Sequence, residues 1–246
     1  MLIMRYVIII VVILGCYSCK NDDTPIFSEN SLAALVAQYD IEIDNVIACA
    51  SGSKTDENTI IAYAYPRPGA SNLQYFETFS TDDDKNDYRN YTKVSIEATD
   101  FFNGYLKKFT RINTGEKWVI ITFFEDNKLH LSNPIRLKHL SKPTEFSETV
   151  TVDTMLDGMP VFGWDDGVFN DNKIYFQVIS DVENNFISGT YTFEKQFQYY
   201  KLDNVVLNIT QGTPPVLNSS NQFNFTLMGV GEDNWVNLFI EKKFTP

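Results

Sequence analysis

The stretch "NQFNFTLMGVGEDNWVNLFIEKKF", residues 221–244, decides how the chain is read. Phe223, Phe225 and Leu227 alternate with polar residues, the period-two pattern of a strand with one face turned to a core. Gly231-Glu232-Asp233 supplies turn chemistry, and from Asn234 apolar residues resume at strand density. Together these parts predict a closing antiparallel hairpin. The same parts occur earlier in the chain: "KWVIITFF" (117–124), the turn "EDN", then "KLHLSNPIRLK" (128–138). In the earlier copy Val119, Ile121 and Phe123 oppose Trp118, Ile120 and Thr122 across the strand. A repeated ending implies two units of one architecture.

Working outward from the two hairpins, further strand-like runs fill each half. The first half holds "NVIACA" (45–50), "TIIAYAY" (59–65), "YFETFS" (75–80), "KVSIEAT" (93–99) and "YLKKFTRI" (105–112). In "TIIAYAY", Ile61, Tyr63 and Tyr65 share a face. The second half holds "MPVFGW" (159–164), "NKIYFQVIS" (172–180), "FISGTYTF" (186–193), "FQYY" (197–200) and "NVVLNIT" (204–210). About seven short strands in about 100 residues, twice over, predict an all-β chain of two tandem immunoglobulin-like sandwiches. The expected boundaries are residues 41–140 and 153–246. Residues 141–152 would be a linker carrying Pro143, and residues 19–40 a tether and short lead-in. In that lead-in, Ser31 is placed to cap a short helix.

"MPVFGW", "KIYFQVIS" and the closing hairpin resemble a fibronectin type III module. That resemblance implies a binding, spacing or adhesive role more often than catalysis, although a fold alone does not set a function.

The N-terminus carries a different signal. "MLIMRYVIIIVVILGCYSC" has one basic residue, Arg5, then an unbroken apolar run and small residues before cysteine. The run is too short to span a bilayer, which takes about 20 apolar residues. It has the charged, apolar and small-residue parts of a secretory signal. The segment resembles a bacterial lipoprotein signal with two competing registers, cleavage before Cys19 or before Cys16. "CKNDD" (19–23) resembles the lysine-plus-acidic export tag of Bacteroidota surface lipoproteins, which favours Cys19 and a signal peptide over residues 1–18. The resemblance implies acylation, palmitate among the chains, and a place on the outer face of the outer membrane. Stable anchoring takes more than one acyl chain, each buried methylene contributing about 0.8 kcal/mol.

Composition narrows the partners. The chain has 246 residues, 43% of them hydrophobic, with 19 Phe and 13 Tyr, enough to build a real core. Its net charge is -12. Loss of residues 1–18 removes only Arg5, leaving 19 - 32 = -13. Such a surface repels phosphate backbones, so no nucleic-acid partner is expected.

Cys16 and Cys19 have C-x-x-C spacing without a βαβ context, and with Cys49, His130 and His139 they do not compose a metal or redox set. Cys49 reads as a small apolar strand residue. Neither a P-loop, a dinucleotide fingerprint nor a nucleophile elbow occurs, so no cofactor, no metal and no catalytic set are expected.

Four stretches carry candidate binding chemistry. "GWDDGVFNDN" (163–172) offers Trp164 as a stacking surface beside Asp165 and Asp166, against the plainer reading of a core Trp before a turn. "AYPRPGASNLQYF" (64–76) offers Arg67 between prolines, with Tyr75 nearby, against a plain loop capping the sandwich. "STDDDKNDY" (80–88) spaces acidic oxygens as a calcium loop does, but Asp87 stands where glycine is needed and Lys93 where the bidentate Glu belongs. "DTM" (153–155) resembles the Bacteroidota O-glycosylation acceptor, at Thr154. The expectation is therefore a surface lipoprotein that binds a protein or glycan partner without catalysis. The alternatives are a spacer or assembly subunit of an envelope complex or, less favoured, a glycan-active enzyme.

Overall fold

The computed structural model describes residues 28–246, which form one short helix, one 3-10 turn and nineteen strands. The signal segment, Cys16, Cys19 and the first residues of the expected tether lie outside the described residues. In the first half run β1 (Ile41–Val46), β2 (Ala48–Gly52), β3 (Thr59–Ala64), β4 (Ser71–Glu77) and β5 (Thr92–Val94). They are followed by β6 (Thr99–Phe101), β7 (Leu106–Ile112), β8 (Trp118–Glu125), β9 (Lys128–Ser132) and β10 (Ile135–Arg136). The second half holds β11 (Glu145–Ser147), β12 (Thr151–Asp153), β13 (Val161–Gly163), β14 (Ile174–Asp181) and β15 (Phe186–Thr192). It closes with β16 (Gln196–Gln198), β17 (Val205–Asn208), β18 (Phe223–Val230) and β19 (Val236–Phe244).

These strands make four sheets. Sheet I has the order β1-β9-β8-β4-β5, with β10 also on β8, and sheet II the order β2-β3-β7-β6. Sheet III is β11-β19-β18-β14-β15-β17 and sheet IV is β12-β13-β16. Both repeated hairpins are present, β8–β9 and β18–β19. In each half the first strand lies parallel on the last, β1 on β9 and β11 on β19. Sheets I and II reproduce the strand order of an immunoglobulin-like sandwich, so the all-β sandwich reading holds. The second half departs in two respects: among the described residues sheet IV has no counterpart of β6, and after β16 the chain returns to sheet III and adds β17 outside β15.

The last strand of the first half is broken for a local reason. Leu131 pairs with Thr122 and Ile135 with Val119, so four residues on one side span three on the other. Pro134, which has no N–H to give the ladder, sits in that bulge.

Packing of the halves is where the structure differs most from the expectation of tandem domains on a linker. Ile60, Ala62, Ala64, Tyr75, Val119, Ile121 and Phe123 fill the core between sheets I and II. Phe162, Tyr175, Ile179, Phe225, Leu227 and Ile240 fill the core between sheets III and IV. A third core lies between sheets II and III: Tyr63, Tyr65 and Leu106 pack on Phe176, Val178, Met228, Val236 and Phe239. The sandwiches therefore stack face to face as four layers with three apolar seams. Ile61, Tyr63 and Tyr65 do share a face, and that face is the interface. Cys49 lies there too, its Sγ 3.9 Å from Met228 Sδ, and burial pushes its thiol up to about 12.

Residues read as linker belong to the stack. β11 adds to sheet III, and β12 starts within the span 141–152. Thr144 ties the halves directly: its Oγ1 accepts from the Gly52 amide at 2.9 Å and donates to the Val236 carbonyl at 2.8 Å. The lead-in is likewise structural. Ser31 caps the helix α1 (Leu32–Val36), its hydroxyl accepting from the Ala34 amide at 3.2 Å. Leu32 packs with Phe76, Tyr91, Ile120, Leu129 and Leu131 on the outer face of sheet I. That cover is why both faces of β8 are apolar.

Trp235 locks the stack. It belongs to the closing hairpin of the second half, yet its side chain is fully buried in the core of the first. Its Nε1 donates to the Lys142 carbonyl at 2.8 Å, and Ala50 donates to the neighbouring Asn234 carbonyl at 3.0 Å. Asp233 pairs with Lys138 from the same turn. Truncation of Trp235 to Ala is expected to cost about 3–5 kcal/mol. Because the cores share walls, wild type and variant should each unfold in one transition. A urea titration followed by fluorescence and far-ultraviolet dichroism checks this, and two separated wild-type transitions would contradict it.

Candidate functional site

The residues that the sequence marked for binding are largely occupied in structural work. Trp164 is buried among Tyr175 and Phe225, at ring centroid distances of 5.5 and 6.1 Å. Asp165 is exposed while Asp166 turns inward, so the neighbouring carboxylates do not act as a pair. Asp166 accepts from Asn172 Nδ2 at 2.7 Å and from the Tyr175 hydroxyl at 2.5 Å, and pairs with Lys195 at 2.7 Å. Burial raises the pKa of Asp166, but these three partners together outweigh it and hold the carboxyl below the usual range.

Arg67 is a clamp rather than an open contact. Its guanidinium donates to Glu125 at 2.9 Å and to the Asn45 carbonyl at 2.7 Å, and lies 3.2 Å from His130 Nδ1. It also sits over the Phe123 ring, 5.1 Å from the centroid. The Arg67 hydrogen bond holds Glu125 below the usual carboxylate range. Tyr75 is 1% exposed, packs on Phe109 at 5.5 Å and lines no cleft among the described residues; its hydroxyl has no partner there but is sealed in the core, out of a ligand's reach. His130 and His139 are both buried.

The acidic loop spends its carboxylates on its own backbone. Asp83 accepts from the Ser80 amide at 2.8 Å and Asp84 from the Asn86 amide at 2.9 Å, while Asp87 binds Arg89. Among the described residues no group of three or more His, Cys, Asp or Glu side chains is arranged to hold a metal ion. Thr154 stands exposed in a turn where Asp153 accepts from the Met155 amide at 2.9 Å.

A groove between the two sandwiches brings together residues the sequence did not mark. Its volume is about 630 Å³, and its lining includes Lys54, Phe101, Asn224, Thr226, Glu241 and Lys243. The floor is the continuation of the apolar seam. Along β18, Asn224 and Thr226 lie on the same face as Met228 and Val230, which sheet II covers. On β19 their partners are Lys243 and Glu241. The Thr226 side chain is buried except toward the groove, and its hydroxyl bonds to no group among the described residues. Lys54 reaches across from the first sandwich to within 3.8 Å of Glu241. Three lysines and two glutamates line the groove, a cationic spot on an acidic protein.

One wall is held in a costly conformation. Phe102 and Asn103 have φ of 48° and Gly104 of 92°, three successive left-handed residues. Asn and Gly tolerate this region, but a bulky residue there costs about 1–2 kcal/mol. Burial of the Phe102 ring in the middle seam offsets that cost. The turn is pinned across the interface, since Asn103 Nδ2 donates to the Glu183 carbonyl at 3.2 Å and to Asn185 Oδ1 at 2.5 Å.

The missed residues left a faint signal. Asn224 and Thr226 read as the ordinary solvent face of a strand. Only the apolar Met228 and Val230, on that same face, show that polar floor passes into buried seam partway along β18.

No family model and no curated protein sequence matches the chain. Many solved structures match the chain, among them two that are similar to it over most of its length. One is of the FN1–FN3 domains of chicken CNTN1: 11% identity, 85% of this chain and 69% of that chain covered, TM-score 0.29. The other is a laminaripentaose-producing β-1,3-glucanase of glycoside hydrolase family 64 from Paenibacillus barengoltzii, complexed with laminarihexaose. For it the values are 10% identity, 80% and 50% coverage, and TM-score 0.29. Strand order, not these likenesses, assigns the sandwich fold.

The lowered pKa of Asp166 fixes a sign. A carboxyl depressed in the folded state contributes stability above its unfolded pKa of about 3.9, lost as pH falls through the folded value. Asp166→Asn should therefore lower stability at neutral pH and flatten its decline below about pH 4. Urea midpoints across pH 2–7 (roughly the carboxylate range) check this, and an unchanged acid slope would show that the carboxyl does not govern it.

Proposed function

We propose that the chain is a lipid-anchored outer-membrane protein of the cell surface, acylated at Cys19 or, in the other register, at Cys16. In this reading the four-layer stack binds a protein or glycan partner and carries out no chemistry on it. The observation that carries the proposal is the groove. It opens where the two sandwiches meet, where binding sites concentrate, and its volume is in the range of ligand clefts. Its polar groups come from both halves of one packed body, so they are positioned before a partner arrives. The bias toward lysine suits a partner that presents carboxylate or other acidic groups against an otherwise repelling surface.

The non-catalytic part of the reading rests on what the candidate carboxylates already do. Asp166 is spent on Lys195, Tyr175 and Asn172, and Asp165 faces away from it. Glycoside hydrolysis would need two carboxyls at a set separation around one bond.

Two measurements test the proposal. Thr226→Val and Lys243→Ala, each in the acylated protein, should weaken a partner found by glycan-array or surface pull-down by about 1 kcal/mol or more apiece. Melting temperature should stay close to wild type. Full affinity in both variants would remove the groove from the reading, and turnover of a bound glycan would overturn the non-catalytic part. For the anchor, metabolic labelling with an alkyne fatty acid should be abolished by Cys19→Ala or by Cys16→Ala. Label surviving both single replacements would refute lipidation at either cysteine.

A further inference from the structure

The second sandwich holds a separate cavity at its open edge, between sheets III and IV, with a volume of about 180 Å³. The space exceeds what a single water needs and admits a small ring with its substituents. It lies under the strand β17 that the first sandwich lacks, and under the two segments that lead to and from it.

The floor is a row of polar side chains on the inner face of sheet III. Thr190 donates to Gln177 Oε1 at 3.2 Å, and Gln177 Nε2 donates to Thr192 Oγ1 at 2.9 Å. That part of the row is satisfied. Ser188, the next residue on the same face, is 3% exposed, lines the cavity and bonds to no group among the described residues. Its hydroxyl opens onto the cavity rather than being sealed in the core, so a group that enters the cavity can pair with it. Beside it, Asn208 uses its Oδ1 to accept from the Thr210 amide at 2.9 Å, which leaves its Nδ2 free to donate at the cavity edge.

The mouth carries an aromatic ring in a strained place. Tyr200 has φ of 73°, left-handed for a bulky residue. Both neighbours hold it there. Tyr199 is fully buried, its amide donating to Pro160 at 3.0 Å and its hydroxyl to the Pro215 carbonyl at 2.5 Å. The Lys201 amide donates to Gln198 at 3.2 Å. Strain of this kind persists where surrounding structure over-determines it and concentrates at ligand clamps. The Tyr200 side chain stays 39% exposed, so core burial does not explain the conformation.

We infer that this cavity binds one neutral, polyhydroxylated ring, a hexose-like sugar residue. Its hydroxyls would meet Ser188 and the Asn208 amide, and its apolar face would lie on Tyr200 beside Leu202 and Pro214. Apart from Lys201, the polar groups of the described lining are uncharged hydroxyls and an amide, the partners that a neutral polyhydroxylated ring needs. The site is independent of the groove between the sandwiches.

The experiment is ligand-observed NMR and calorimetry on the full chain with methyl glycosides of neutral hexoses, and with the oligosaccharides those residues terminate. At least one methyl hexoside should bind. Tyr200→Gly suits the left-handed backbone, so it should keep or raise the melting temperature while weakening binding at least tenfold. Ser188→Ala and Asn208→Asp, the latter keeping the oxygen that caps Thr210, should each weaken it several-fold. Thr226→Val in the groove should leave it unchanged, which separates failure here from failure of the groove reading. Tighter binding of an oligosaccharide assigns the cavity to the end of a glycan, and equal binding to the free sugar. Absence of binding by every neutral hexoside at millimolar concentration, or wild-type affinity in Tyr200→Gly, overturns the inference.

Discussion

Packing of sheet II on sheet III is the constraint from which the rest of the structure follows. A sheet covered on one side can alternate apolar and polar residues, but a sheet covered on both cannot. β14 and β18 therefore carry core residues on both faces: Tyr175 and Ile179 against sheet IV, Phe176 and Val178 against sheet II. The same demand falls on β3, with Ala62 and Ala64 inward and Tyr63 and Tyr65 toward the partner sandwich. Small residues on one side and large aromatics on the other let the two seams differ in thickness. Trp235 completes the arrangement by carrying apolar volume from one sandwich into the core of the other.

One stretch of unusual backbone lies at the end of the shared seam. Two flat sheets that pack over part of their area must diverge where one ends. At the Phe102–Gly104 turn the chain reverses within the space left by sheet III, and a left-handed Phe102 is the result. Beyond that turn the seam has no cover, so β18 changes from Met228 to Thr226 and Asn224. The groove is the uncovered end of the interface rather than a depression added to a finished surface. Its floor is accordingly as rigid as the core it continues, which lowers the ordering cost of any contact made there.

Much of this was legible in the sequence, and the failures have a common cause. Strand periodicity, the two closing hairpins and the Ser31 cap are local properties, and they were readable because each depends on neighbours within a few residues. Alternation in "KWVIITFF" set Val119, Ile121 and Phe123 on the face opposite Trp118, Ile120 and Thr122, and the first three are the ones in the sandwich core. The stack was harder to see, because a linker and an edge strand have the same composition over three residues, as at Glu145–Ser147. The faces of β14 hinted at double cover, since "KIYFQVIS" is apolar without clean alternation, yet a short apolar run has more than one reading.

The candidate ligand residues are taken up inside the sandwiches, the aromatic ones by burial and the charged ones for an electrostatic reason. Tryptophan, arginine and paired aspartates draw attention because they can grip a ligand, but the same capacity makes them useful inside a sandwich. A charge near a core must be paired and fully hydrogen-bonded or it is expelled. Arg67 spans β1, β8 and β9 through Asn45, Glu125 and His130, and Asp166 ties Lys195 and Tyr175 to the turn after β13. Arg67 and Asp166, with these bonds made inside the fold, have little left to give a ligand, and Trp164, whose Nε1 has no partner among the described residues, is closed off by burial instead. The residues that remain available are inconspicuous ones, a threonine and a serine whose hydroxyls face the groove and the cavity and bond to no group among the described residues. An unanswered hydroxyl that opens onto a cleft, rather than chemical strength, marks the places where a partner can be recognised; the unanswered atoms sealed in the cores, those of Tyr75 and Trp164 among them, cannot be reached.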